Sequence, residues 1–344
     1  MTKKPVIYDG DMGGDDLWGI NVLLAHEDKF NILGMASAYG NISQPFATQN
    51  LLNHLHWMGR DDLEVAQGTD FPCDGMRPFG DDAYGEGGVG GVTLPVAPRQ
   101  AIQGDIADWY ASKLDAENTP VTILCTGPAT NIAKFLEKYP EKAHKIEEFI
   151  FMGGAMNPPG KDGKPVFLEN GEQRIGNITV HAEFNAYQDP RALNIILASG
   201  VKTAIVSADA TQHVVYTPER QARIQALHDT YGPAHHRMLI VVEQLDRTKF
   251  GVDGSFVHDP SAAAYLVNRD LFTSTEVTGL QFNESAPQPM ESTRRGAASL
   301  SARFGGKARW VNGVTDEAKV FDLIEKGLES TIAKAAYSPK PLAG

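Results

Sequence analysis

The stretch Asp9-Gly10-Asp11-Met12-Gly13-Gly14-Asp15-Asp16 constrains the fold more than any other part of the chain. It places four carboxylates within eight residues, with three glycines and no Lys or Arg among them. Before it, Pro5-Val6-Ile7-Tyr8 has the short apolar character of a buried strand. After it, Leu17 to Ala25 reads as a helix, with Asp15 or Asp16 near its N-cap. A strand, a tight turn and a helix in this order put the acids at the carboxyl end of the first strand, where open α/β sheets carry their sites. Two like charges ~5 Å apart repel by roughly 3 kcal/mol at an effective dielectric of ~20. A helix N-terminus returns only about 0.3–1 kcal/mol per carboxylate. The cluster therefore calls for a cation or for protonated members, and an all-oxygen donor set points to Ca²⁺ or Mg²⁺. The alternative is a solvated acidic turn that caps the helix.

Composition narrows the partners. The net charge of −12, from 31 basic and 43 acidic residues, argues against nucleic acid or an anionic membrane surface. Cys73 and Cys125 form no CxxC pair. The N-terminus lacks the apolar stretch of a signal peptide, and no run is long enough to span a bilayer. A cytoplasmic protein is expected.

Strand-like and helix-like segments alternate along the chain, which predicts an α/β fold: one large Rossmann-like domain over residues 1–344, with a mostly parallel sheet and helices on both faces. Strands are expected at Ile32–Ser37, Leu63–Ala66, Val121–Cys125, Ile146–Met152, Val201–Val206 and Arg309–Val311. Helices are expected over about Ala47–Met58, Ile102–Leu114 and Glu317–Ala336. Residues 68–98 are rich in Gly, Pro and Asp and hold Phe79 and Tyr84, the composition of a substrate lid. A helical segment at about 217–256 is expected to break at Gly232-Pro233. Pro128 is placed to open a helix, and Asp259 before Pro260 reads as an N-cap.

Taken together, the turns resemble the inosine-uridine preferring nucleoside hydrolase family. Its opening Asp-Thr-Asp-Pro-Gly-x-Asp-Asp corresponds to Asp9–Asp16. Tyr39-Gly40-Asn41, Thr126–Ala133, Met152-Gly153-Gly154, Gly176-Asn177, Glu183-Phe184-Asn185, Asp209-Ala210-Thr211 and His258-Asp259-Pro260 follow in the family's order. The resemblance implies one Ca²⁺ held by Asp11, Asp16, the Thr126 carbonyl and Asp259. It implies Asp15, Asn41 and Asn185 on the ribose 2′- and 3′-hydroxyls, and Asn177 and Glu183 on the 5′-hydroxyl. Met152 would pack near the sugar, and Asp9 would position its neighbours. The implied substrate is a nucleoside, and the implied assembly a dimer or tetramer. Gly10 and Met12 stand where the family has Thr and Pro, and Tyr84-Gly85 where its lid has His-Gly.

The implied reaction is hydrolysis of the N-glycosidic bond, giving ribose and a free purine or pyrimidine base through an oxocarbenium-like transition state. Asp11, both a ligand and part of the tight turn, is the expected general base. His258, beside the ligand Asp259, is the candidate acid for the leaving base, with Tyr84 as the other donor. Base preference stays open. Two other readings remain: an Mg²⁺-dependent phosphohydrolase of the haloacid dehalogenase type, also built on Asp-x-Asp, and a non-catalytic calcium-dependent nucleoside- or ribose-binding protein.

Overall fold

The computed structural model describes residues 2–77, 83–290 and 292–335. Phe79 and Ala336 lie outside them. The central sheet opens with β1 (Lys4–Gly10), β2 (Phe30–Ser37), β3 (Val65–Gln67), β4 (Val121–Cys125) and β5 (Ile146–Met152). A small ribbon, β6 (Val166–Phe167) with β7 (Gln173–Arg174), follows, and β8 (Thr203–Val206) returns to the sheet. β9 (Val215–Tyr216) and β10 (Ser255–Phe256) form a second ribbon, and β11 (Phe272–Phe282), β12 (Ala298–Leu300) and β13 (Gly306–Val314) complete the sheet.

The strand order is β12-β11-β13-β8-β5-β4-β1-β2-β3. Every pairing from β13 to β3 is parallel, and β11 alone runs against both its neighbours. Strands buried on both faces read as continuous apolar runs, and alternate residues divide between two cores. Val6, Tyr8, Leu124, Ile150 and Val206 join one core; Ile7, Ile123, Cys125, Phe149 and Ile205 join the other. α1 (Gly14–Ala25), α2 (Gln44–Trp57), α11 (His258–Val267) and α12 (Glu317–Lys334) contribute to the first. α3 (Ile106–Ala116), α4 (Thr130–Lys138) and α6 (Pro190–Ser199) contribute to the second. Among the described residues no helix is long and apolar enough to cross a membrane.

β1 lies between β2 and β4, so the chain builds outward from it in both directions. A crevice opens where those directions part, at the carboxyl ends of β1 and β4.

Several local expectations are corrected. The N-cap of α1 is Gly13, while Asp15 and Asp16 sit in its first turn, where the Asp16 carboxylate accepts from the Gly13 amide at 2.8 Å. α4 opens at Thr130, two residues after Pro128. The 217–256 segment holds three helices, α8 (Pro218–Gln225), α9 (Tyr231–Ile240) and α10 (Glu243–Phe250). Gly232-Pro233 falls in the first turn of α9, where a missing N–H costs nothing, so the pair starts a helix rather than breaking one. Asp259 lies in the first turn of α11 behind the N-cap Val257. Between them, the short helices α5 (Phe184–Gln188) and α7 (Ala208–Thr211) carry motif residues toward the crevice.

Candidate active site

The first turn leaves β1 with Gly10 in a space that admits no side chain. A Cβ there would lie 2.3 Å from Asp16 Oδ1 and 2.7 Å from Thr126 Oγ1. Met12 follows at φ 53°, a left-handed conformation. Together they turn the backbone tightly enough that Asp11, Asp15 and Asp16 converge with Asp259 from α11, all of them buried. One carboxylate oxygen each from Asp15, Asp16 and Asp259 lies within 4.8 Å of the others.

The acids are held by donors that do not neutralise them. Asp11 accepts from the Asn41 amide at 2.7 Å and from Asn41 Nδ2 at 3.0 Å. The Thr126 hydroxyl donates to Asp16 Oδ1 at 2.6 Å and sits 2.7 Å from the Tyr8 hydroxyl. Beneath them Asp9 receives the Tyr110 hydroxyl at 2.6 Å and the Asn131 amide at 3.0 Å. Burial, with Asp16 next in effect, raises the Asp11 carboxyl well above the ordinary range. Burial pushes Asp16 up to about 7, with Asp15 adding to it, and burial again leads for Asp259, joined by Asp15, Asp16 and Asp11. Asp15 is raised by burial against the hydrogen bond it shares with Tyr84, and its Oδ1 finds no hydrogen-bond partner among the described residues. Among the described residues no ion pair reaches Asp11, Asp15, Asp16 or Asp259. Buried oxygens crowded together and short of positive charge fit a hard dication.

Over this floor lies a cavity of about 270 Å³. It brings together Asp15, Asn41, Tyr84, Thr126, Met152, Asn177, Glu183, Asn185, His258 and Asp259. Asp11 and Asp16 lie beneath the lining. Asn185 Nδ2 donates to the carbonyls of Thr126 at 2.9 Å and Met152 at 3.1 Å, locking two strand ends together. Glu183 caps α5, taking the amides of Asn185 on one oxygen and of Gly154 and Ala186 on the other. Asn177 Oδ1 accepts from the Phe184 amide, which orients its Nδ2 away from that bond. His258 Nδ1 meets Thr211 Oγ1 at 2.7 Å, and burial pulls the ring down to about 4. The later part of the 68–98 segment packs on α9, with Gly90 so close that a Cβ would lie 2.2 Å from the Arg237 carbonyl.

The profile of the family described as inosine-uridine preferring nucleoside hydrolase matches residues 6–310. The chain belongs to that family. This nucleoside hydrolase is 34% identical over 280 residues to the pyrimidine-specific ribonucleoside hydrolase RihA of Citrobacter koseri, covering 79% of this chain and 82% of the relative. Its fold is similar to that of the plant nucleoside hydrolase PpNRh1, with a TM-score of 0.81, 23% identity and coverage of 95% of this chain and 99% of that one. A purine-preferring ribonucleoside hydrolase from Gardnerella vaginalis matches with a TM-score of 0.78, 23% identity and the same two coverages. The chain is thus an N-ribosyl hydrolase, and the phosphohydrolase and non-catalytic readings fall away.

Sequence reasoning missed one wall of this cavity. Val242, Leu245, Asp246 and Lys249 come from α10, and Ile178 and Phe184 add further apolar surface. Tyr231, on the neighbouring α9, stacks on Trp57 with ring centroids 4.7 Å apart and is not among the lining residues. The sequence carries no signal for this wall, because burial of the acid Asp246 on a face with Phe250 is visible only in the folded packing.

Proposed function

We infer that the protein hydrolyses the N-glycosidic bond of ribonucleosides in a Ca²⁺-dependent reaction. The observation that carries this is the ring of buried, uncompensated carboxylates directly beneath a cavity lined by amides and hydroxyl-binding groups. Asp11, Asp16, the Thr126 carbonyl and Asp259 would hold the ion. When bound, it supplies a lowered pKa and a fixed orientation to the attacking water. Asp11 takes the proton of that water, and Asn41 orients the Asp11 carboxylate for the task. Asp15, Asn41 and Asn185 bind the ribose hydroxyls, and the bonds to Asp15 strengthen as positive charge develops on the ring. Asn177 offers its free amide to the 5′-hydroxyl. Glu183 has three backbone donors already and retains lone-pair capacity for a fourth. Met152 packs against the sugar. His258, fixed by Thr211 and neutral at pH 7, hydrogen-bonds the base, and Tyr84 closes the cavity from the loop acting as a lid.

The similarity to a pyrimidine-specific relative makes uridine and cytidine the first substrates to assay, with purine ribonucleosides beside them. A homo-oligomer in the cytoplasm, built from single-domain chains, completes the proposal. The test is a panel of ribonucleosides incubated with the Ca²⁺-loaded protein, followed by assays for reducing sugar and for inorganic phosphate. Reducing sugar with no phosphate supports the reading; no sugar from any nucleoside refutes it.

A further inference from the structure

The α10 wall holds one group that the ribose and metal residues do not explain. Asp246 is 4% exposed and sits between Leu245 and the buried Phe250 and Phe256. Its Oδ2 accepts from the Phe256 amide at 2.9 Å, which fixes the side chain. Its Oδ1 has no hydrogen-bond donor and no ion-pair partner among the described residues, and the residue lines the cavity. Lys249, one turn further on, gives its amine to the Asn177 carbonyl. A buried carboxyl with one oxygen tethered and the other open must carry a proton or bond to something in the cavity. With the ribose hydroxyls and the ion assigned to the floor and to Asn177 and Glu183, the base, which His258 also meets, is the part of the substrate left for a group on the α10 wall.

We propose that Asp246 is the proton donor to the departing base. The assignment deepens the ribonucleoside hydrolase reading and rests on it. Burial pushes the carboxyl up to about 7, where a group still holds its proton at neutral pH yet can release it in the transition state. The groups facing it are Lys249 and Glu243 on α10, Asp15 on α1 and Tyr84 from the loop. Lys249 favours the carboxylate, and the two acids favour the protonated form. As the C1′–N bond breaks, its electron pair passes to the base. The Oδ1–H bond breaks at the same stage, its proton goes to the base, and Asp246 is left as a carboxylate. Water forms the new C1′–O bond and loses a proton to Asp11. Asp11 then releases one proton to solvent and Asp246 regains one, which restores both groups.

The test compares wild type with Asp246→Asn, both loaded with Ca²⁺, on natural ribonucleosides and on p-nitrophenyl riboside, whose phenolate departs without a proton. Asparagine keeps the volume and an acceptor for the Phe256 amide. The ratio of kcat on the nucleosides to kcat on the riboside is expected to fall by about 10²–10⁴ in the variant. In wild type, kcat for nucleosides should decline as pH rises through about 7, and that limb should be absent for the riboside. Equal slowing of both substrates overturns the assignment, and so does an unchanged ratio. If the variant does not fold, the wild-type profiles decide: a limb shared by both substrates, or missing from the nucleosides, is fatal to it. A wild type that cleaves neither substrate instead refutes the parent reading.

Discussion

The floor of the cavity, at the ends of β1 and β4, and its α10 wall face the same substrate but are built by different means. On the floor most polar groups are tied to one another: Asn41 to Asp11, Thr126 to Asp16, Asn185 to two strand carbonyls. The wall is apolar apart from Asp246 and Lys249, and it is joined to its surroundings by few polar bonds. Chemistry shared by every riboside belongs where the geometry is over-determined. On the reading proposed above, the base is met by a helix held through apolar contact, which can change its residues without dismantling the sheet.

Metal removal attacks the floor alone and carries the largest expected effect. Exhaustive chelation should take activity to background, and Ca²⁺ should restore it. Because the ion binds only the folded site, the apo protein should also melt lower; at a free Ca²⁺ of 100 Kd the stabilisation is about 2.7 kcal/mol. Full turnover in protein shown by elemental analysis to hold no divalent metal would break the distinction between the two regions.

Asp11→Asn comes next. Its kcat should fall by about 10²–10⁴ while KM stays within a few-fold, since a base acts in the transition state and not in substrate binding. Steady-state kinetics on one good nucleoside suffices, and a near-native kcat would move the base elsewhere on the floor.

The smallest effect concerns the tie between α1, which carries Asp15 and Asp16 of the floor, and α9, the helix before the wall. Asn21 of α1 bridges His54 Nε2 at 3.0 Å and His235 Nε2 of α9 at 2.9 Å, while His235 Nδ1 donates to the Tyr231 carbonyl. Both ring nitrogens of His235 are thus committed to the neutral form, and burial lowers its pKa to about 4. The unfolded chain protonates this ring near 6.5, so it binds the extra proton and gains as pH falls. Stability from this site is complete above about 6.5 and declines toward pH 4, by roughly 3 kcal/mol in total. Asp9 and Asp16, raised to about 7, work in the opposite sense. The informative quantity is therefore the difference between wild type and His235→Gln in urea melts from pH 7 to pH 4. A difference that does not change with pH would remove His235 from the tie.

Much of the floor was legible in the sequence because strand ends, glycines and acids there obey local rules. Asp9–Asp16 was readable from its own residues, and the resemblance to the family implied that Thr126 and His258-Asp259 join it. β11 was not, because Phe272-Thr273-Ser274-Thr275-Glu276-Val277 is mostly exposed near the sheet edge and lacks the apolar run of its parallel neighbours. The α10 wall was hidden for another reason. Val242, Leu245 and Asp246 have the spacing of any half-buried helix, and only packing across 176–184 and β10 decides which face meets the cavity. Tyr8 and Tyr110 look like core residues, and their hydroxyls acquire meaning only through Asp16 and Asp9 on other elements.

Met12 gives the acidic turn a history as well as a shape. A proline holds φ near −65°, whereas the backbone at this position stands at 53°. The neighbouring Gly10 is boxed in by Asp16, Thr126 and the Tyr8 ring. A threonine at position 10 or a proline at position 12 therefore does not fit this path between the carboxylates. Either residue brought back alone meets a backbone or a packing arrangement made for its replacement. A designer averaging over relatives would score each reversion as an improvement. In this chain each reversion would instead disturb the turn that brings the acids together.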